Sequence, residues 1–139
     1  MHTLKQLPVY LVLAGCLPAA DEPRPARWGY IHAAIIVPSC TTAGCHSALT
    51  SIAGINLSGD AGAYTVLTGH ICGEPVRPQD PPRNYVTPFA ADASTLMYQL
   101  RGADAEGRPY RDIMPPDTRL PAVEVELVGQ WIDEGAACD

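Results

Sequence analysis

Four segments of the chain carry hydrophobic residues at helical spacing and account for most of the regular structure that we predict. The first spans residues 28–37 and the last residues 122–134, and each has one continuous apolar stripe. Two shorter segments between them span residues 60–67 and 95–101. No strand-like alternation lasts beyond four residues, so the pattern predicts an all-α domain of a few short helices and long loops.

Flanking residues set the predicted ends of these helices. Pro38 is expected to end the first helix, because proline cannot donate the next hydrogen bond. Asp60 and Ser94 are expected to cap the second and third helices. Gly102 and Gly135 follow the third and fourth helices, where glycine commonly ends a helix.

The first and last helices are the most apolar, and neither can bury its stripe alone in a small domain. We therefore expect them to cross each other. The residues expected at or near this contact are Ile31, Ile35, Leu127 and Trp131. The middle loops are then left to surround any bound group.

The N-terminus has the features of a processing signal. Lys5 precedes an apolar run over residues 9–15 that is too short to span a bilayer. The run ends in Leu-Ala-Gly-Cys16, which resembles a bacterial lipobox. Residues 1–15 are thus predicted to be a signal peptide and residues 16–27 a linker lipidated at Cys16, which places the protein in the cell envelope, on the periplasmic or outer-surface side. An ordinary secretory signal, with Cys16 unmodified or cleavage after Ala20, is the alternative.

Composition limits the partners of the mature chain. Without residues 1–15 it has 124 residues, enough for one domain, which we place at residues 28–139. Eight arginines against fifteen acidic residues then give a net charge of −7. The absence of a basic patch argues against nucleic acid. A negative surface suits a positively charged or weakly bound protein partner.

The candidate chemistry lies in Cys40-Thr-Thr-Ala-Gly44-Cys45-His46. Two thiols followed directly by an imidazole are in the order that attaches a c-type haem, although the usual spacing is C-x-x-C-H and here four residues separate the thiols. The two extra residues must bulge from the turn, and Gly44 can take the positive φ that a bulge needs. A local Cys40–Cys45 disulfide is one alternative. A zinc site is another, but it needs four ligands and the chain has no second close pair of Cys or His.

Cys72 and Cys138 remain once Cys16 and the motif are assigned. An even pair of cysteines in an oxidising compartment predicts a disulfide. Closing a loop of about 65 residues would contribute on the order of 4 kcal/mol. Two inert buried thiols are the alternative.

Several features, taken in order, resemble the small c-type cytochrome domain of exported bacterial proteins, whose haem motif is sometimes widened to C-x4-C-H. They are the helix with Tyr30 and Ile31, the Cys40…Cys45-His46 motif, the segment from Ser94 to Leu100, Met114-Pro115-Pro116, and the closing Trp131-Ile132 and Gly135-Ala136. The resemblance covers about residues 28–137. It implies one covalently attached haem, with thioether bonds from Cys40 and Cys45, His46 as the proximal ligand and Met114 as the distal ligand.

The residues around Met114 agree with the distal role. Met114 follows His46 by 68 residues, so a separate loop can bring its sulfur to the opposite side of a haem. Pro115 and Pro116 hold Met114 out of helical conformation. The competing ligands are Met97, which is expected to be core packing, His70, which would give bis-His coordination from a mobile loop, and His32, a surface or core residue.

The predicted function is electron transfer between redox partner proteins by a membrane-tethered carrier, not an enzyme. A Met–His ligand pair favours a high potential. One alternative is a haem sensor or peroxidase-like protein whose distal site stays open. The other is an exported binding domain stapled by disulfide and free of haem.

Overall fold

Helices and loops make up the part of the chain that the computed structural model describes, residues 23–78 and 84–139. The helices are α1 Trp28–Ile31, a π-helical segment His32–Ile36, α2 Val37–Cys40, α3 Asp60–Thr68, α4 Thr95–Arg101 and α5 Ala122–Asp133, with 3₁₀ turns at Ile52–Gly54 and Ala91–Ala93. These residues contain no strand, so the all-α class is confirmed. The predicted signal peptide and Cys16 lie outside the described residues. No helix within the described ranges is long and apolar enough to cross a membrane.

The first helix runs further than the sequence predicts. Pro38 was expected to end it, but α1, the π-helical segment and α2 form one uninterrupted helix from Trp28 to Cys40. Proline lacks the N–H that would bond the carbonyl four residues earlier. The π-helical segment directly before Pro38 has i→i+5 bonding, shown by the Val37 N–H bonding the His32 carbonyl, and so accommodates the proline. The prediction was therefore wrong by about one helical turn, and this turn carries Cys40.

The predicted helix ends are only partly correct. Neither Asp60 nor Ser94 caps its helix through the side chain. Gly59 occupies the cap position of α3, and the buried Ser94 hydroxyl instead accepts the Thr87 N–H at 2.9 Å. Gly102 ends α4 as expected, with a left-handed φ of 72°.

Aromatic rings join the first and last helices. The Trp28 and Trp131 ring centroids lie 5.2 Å apart, and the Tyr64 ring of α3 packs edge-on against both. All three side chains are almost completely buried. Ile31, Ile35 and Leu127 are buried in the same core. The predicted crossing of these two helices is confirmed.

The chain end is tied to this core by hydrogen bonds. The Trp28 backbone N–H donates to the Asp139 carboxylate at 3.2 Å. The Tyr64 hydroxyl donates to the Ala136 carbonyl, and the Trp131 ring N–H donates to the Ala137 carbonyl at 2.8 Å. These bonds hold residues 136–139 against the start of the first helix.

The predicted disulfide is present. Cys72 and Cys138 are bonded, with their Cα atoms 5.1 Å apart, within the usual range for a disulfide. The bond joins the loop after α3 to the chain end, and both cysteines pack against the core.

We predict that Trp131→Ala lowers the free energy of unfolding by about 3–5 kcal/mol, because it removes a fully buried ring and leaves a cavity. Val123→Ala in the same helix is the control, since Val123 is 52% exposed and its truncation should cost less than about 0.5 kcal/mol. Urea denaturation measures both. Equal losses for the two variants would contradict the assignment of Trp131 to the core.

Candidate functional site

The first helix delivers Cys40 to a wide turn closed by the backbone. Cys40 is the last residue of α2, and its carbonyl accepts the His46 N–H at 3.0 Å. Inside this ring the Cys45 N–H donates to the Thr42 carbonyl at 2.9 Å. The four residues between the thiols therefore form a turn whose ends are paired by backbone hydrogen bonds.

Gly44 does not have the role that we predicted. It is absent from the residues of positive φ in the described chain, and a Cβ atom added there would meet nothing within 4 Å. In the loop that follows the motif, positive φ values instead occur at Ser51, Ala53 and Gly54. The spacing is accommodated by the hydrogen bonds of the wide turn, and glycine is not required.

The imidazole of His46 is oriented by a backbone carbonyl. Its Nδ1 lies 3.3 Å from the Ile55 carbonyl oxygen. A carbonyl can only accept, so in this contact Nδ1 carries the proton and Nε2 keeps its lone pair. Such a second hydrogen bond is the usual way to fix the tautomer of a metal-binding histidine. The arrangement therefore leaves Nε2 as a potential ligand.

Both thiols of the motif are free, so the alternative of a local disulfide is not the arrangement observed. The Thr42 hydroxyl donates to the Cys45 sulfur at 3.2 Å. Burial, with a smaller contribution from the nearby charge of Cys45, raises the pKa of Cys40 to about 11. Cys40 is thus a neutral thiol at physiological pH.

Met114 reaches the motif from a separate loop. The loop follows α4, and the Met114 backbone N–H donates to the Gln99 carbonyl of that helix at 3.0 Å. This loop and the motif both line one apolar cavity. It is lined by Ser39, Cys40, Cys45, His46, Ile52, Met114, Pro115 and Pro116. All four residues predicted to bind haem therefore line one cavity.

The cavity is small, at about 80 Å³. A larger hollow of about 460 Å³ adjoins it and shares Ser39, Cys45, Pro115 and Pro116. Cofactor sites are usually roughly 300–1,000 Å³. The larger hollow alone is within this range, and its lining includes the charged residues Asp117, Arg119 and Glu124.

The other candidate ligands lie away from this cavity. Met97 is fully buried in the core, as expected. His70 was expected in a mobile loop, but it is only 7% exposed, and its backbone N–H bonds the Thr68 hydroxyl at the end of α3. The buried His32 has Nε2 3.0 Å from the Leu57 carbonyl. None of these three histidine and methionine side chains lines the cavity with His46.

The side chains present fit the haem that the sequence resemblance implies. The cavity offers two thiols for thioether bonds, an imidazole with Nε2 available, and a methionine sulfur, in an almost wholly apolar lining. No three His, Cys, Asp or Glu side chains of the described ranges, those of the motif included, cluster closely enough to hold a metal ion, so nothing favours the zinc alternative.

Two supports of the site were missed by the sequence analysis. They are backbone carbonyls, of Ile55 beside His46 and of Gln99 beside Met114. Every residue has a carbonyl, so no residue type marks either position. Only the folded chain reveals that the Ile55 carbonyl meets the His46 imidazole and the Gln99 carbonyl meets the Met114 backbone N–H.

Comparisons of the chain with protein-family models, with curated proteins and with solved structures give no match. The functional argument therefore depends on the motif and on the geometry of the cavity.

We predict that Cys40 in haem-free protein reacts slowly with iodoacetamide near pH 8 and progressively faster toward pH 11. The raised pKa keeps the reactive thiolate scarce at the lower pH. Mass spectrometry after timed labelling measures each site, with Cys45 as the internal reference and a urea-denatured sample as the control. A Cys40-to-Cys45 rate ratio that stays constant over this range, and equal to that in urea, would contradict the raised pKa of the partly buried Cys40.

Proposed function

We propose that this protein is a single-haem c-type cytochrome that carries electrons between redox partner proteins. The observation that supports this is the convergence of Cys40, Cys45 and His46 with Met114 on one apolar cavity. Met114 is 68 residues from His46 along the chain, so the fold, and not the local sequence, brings them together.

Different residues of the cavity would hold different parts of the cofactor. Each thiol can add across a vinyl group, sulfur to one carbon and the proton to the other, without any oxidant. His46, fixed by the Ile55 carbonyl, would hold the iron through Nε2, and Met114 would hold it through its sulfur. Haem, when bound, supplies a one-electron ferric/ferrous couple.

The two proposed iron ligands favour a high potential. A methionine–histidine pair favours the ferrous state. Ile52, Pro115 and Pro116 add apolar surface beside them, although Ile52 is half exposed. With two axial donors available, the chain has the features of a carrier and not those of an enzyme with an open site.

The proposed partners follow from charge. The mature chain has a net charge of −7, which favours a partner with a positive docking face. Residues 28–59, which include the haem motif, contain no Asp, Glu, Lys or Arg. Charges that face a partner at this site would therefore come from Asp117, Arg119 and Glu124, which line the larger hollow.

The proposed location is the cell envelope. Export is needed for covalent haem attachment outside the cytoplasm, and the Leu-Ala-Gly-Cys16 end of the N-terminal apolar run supports a lipid anchor. Acyl chains on Cys16 would hold the domain at a membrane surface through the proline-rich linker of residues 16–27.

We predict that haem stays with the polypeptide after denaturation and extraction with acidified organic solvent. The test uses protein exported with a cytochrome c maturation system. Cys40→Ala and Cys45→Ala should each keep at most one thioether bond, and the double variant should lose all haem to the solvent. Protein that is colourless after this maturation would contradict the proposal and favour an exported binding domain stapled by Cys72–Cys138.

We predict that Met114→Leu opens the sixth coordination site. The ferric spectrum should shift toward high spin, and the ferrous protein should bind carbon monoxide, because leucine has no sulfur donor. Met97→Leu is the matched control and should leave the spectrum unchanged, since Met97 is buried in the core. A wild-type protein that already binds carbon monoxide readily would favour the open-site sensor. A spectrum altered by His70→Ala and not by Met114→Leu would transfer the distal role to His70.

A further inference from the structure

The loop that carries Met114 is fastened to the end of α4. Its backbone N–H groups at Met114 and Tyr110 donate to the carbonyls of Gln99 and Gly102, each at 3.0 Å. The last carbonyls of a helix have no partner within the helix. Here the loop that carries Met114 donates hydrogen bonds to these carbonyls, so it pairs groups that the helix leaves unpaired.

Arg119 makes the third such bond. Its Nη1 donates to the Arg101 carbonyl at 3.0 Å. A cation is favoured at a helix C-terminus, because the exposed carbonyls give that end a partial negative charge. Arg119 follows Met114 and Tyr110 precedes it, so the loop is held on both sides of the methionine.

Gly102 makes the Arg119 contact possible. A Cβ atom at residue 102 would lie 2.9 Å from both terminal nitrogens of the Arg119 guanidinium. The guanidinium thus lies directly against the glycine. Gly102 also has a φ of 72°, which strains any larger residue. The glycine therefore ends the helix and leaves the space that the guanidinium fills.

We propose that Gly102 and Arg119 form a clamp that positions Met114 as the distal ligand, an inference that depends on the proposed function. Neither residue lines the apolar cavity that His46 and Met114 share, although Arg119 also lines the adjoining larger hollow. We assign both as positioning residues that act on Met114 through the loop. The clamp fixes the loop to α4, whose Leu96, Met97 and Leu100 side chains are buried in the core. The methionine sulfur is thereby held at the cavity by the body of the protein, although its own loop has no regular structure.

The clamp predicts how easily an added ligand displaces Met114. Imidazole in solution competes with Met114 for the sixth site of the ferric holo-protein. Loss of a charge-assisted hydrogen bond that favours the ligated loop should make apparent imidazole binding roughly five- to tenfold tighter. The reduction potential should fall as well, since methionine ligation favours the ferrous state.

The chain offers matched controls for both members. Gly102→Ala is compared with Gly107→Ala, because Gly107 has a similar φ of 78° but nothing within 4 Å of an added Cβ. Arg119→Gln is compared with Arg111→Gln, an exposed arginine of the same loop. Imidazole titration followed by the visible spectrum measures all four, and denaturation midpoints show the cost of backbone strain.

We expect Gly102→Ala and Arg119→Gln to tighten imidazole binding and the two controls to stay within about twofold of wild type. The double variant should match the single ones, because both changes break one contact. Equal shifts for Gly102→Ala and Gly107→Ala would overturn the clamp in favour of strain alone. The clamp would also be overturned if Arg119→Gln binds imidazole with wild-type affinity while Met114→Leu binds it much more tightly. If Met114→Leu binds imidazole as the wild type does, Met114 is not the distal ligand, and this result would overturn the clamp as well.

Discussion

The contact between Trp28 and Trp131 is the interaction on which the arrangement of the site depends. It fixes the start of the first helix against the last helix, and hydrogen bonds from the chain end reinforce it. The first helix is unbroken to Cys40, roughly 18 Å away at 1.5 Å per residue. The position of Cys40 is therefore set by the aromatic core through a continuous helix. The π-helical segment before Pro38 keeps that helix continuous.

The site has two halves that are built in different ways. The motif half is local, since a turn closed by the Cys40 carbonyl holds both thiols and His46 within seven residues. The Met114 half is an irregular loop that takes its position from the end of α4. The first half gains its rigidity from backbone hydrogen bonds inside the turn. The second gains it from carbonyl groups that α4 leaves unpaired at its end.

Residue spacing was sufficient to predict the helices, because their buried faces repeat at helical period and Gly102 marks one end. The even number of cysteines left after the other assignments was sufficient to predict the Cys72–Cys138 disulfide. The continuation past Pro38 could not be predicted, since it depends on a change of hydrogen-bonding pattern that any residue can make. Ser94 is at the N-cap position of α4 as predicted, but its buried hydroxyl bonds Thr87 and Ala90 and not the helix. The four residues of the cavity were named from the sequence, but the carbonyls that orient two of them were not.

The most direct test of the central claim is the NMR spectrum of holo-protein labelled with ¹³C at the methionine methyl groups. Cleavage at Cys16 would leave Met97 and Met114 as the only methionines of the mature chain. In the ferrous protein, one methyl resonance should be displaced far upfield by the porphyrin ring above the axial sulfur, and it should vanish in Met114→Leu. Two methyl resonances at ordinary positions, or a displaced resonance that vanishes only in Met97→Leu, would contradict the account.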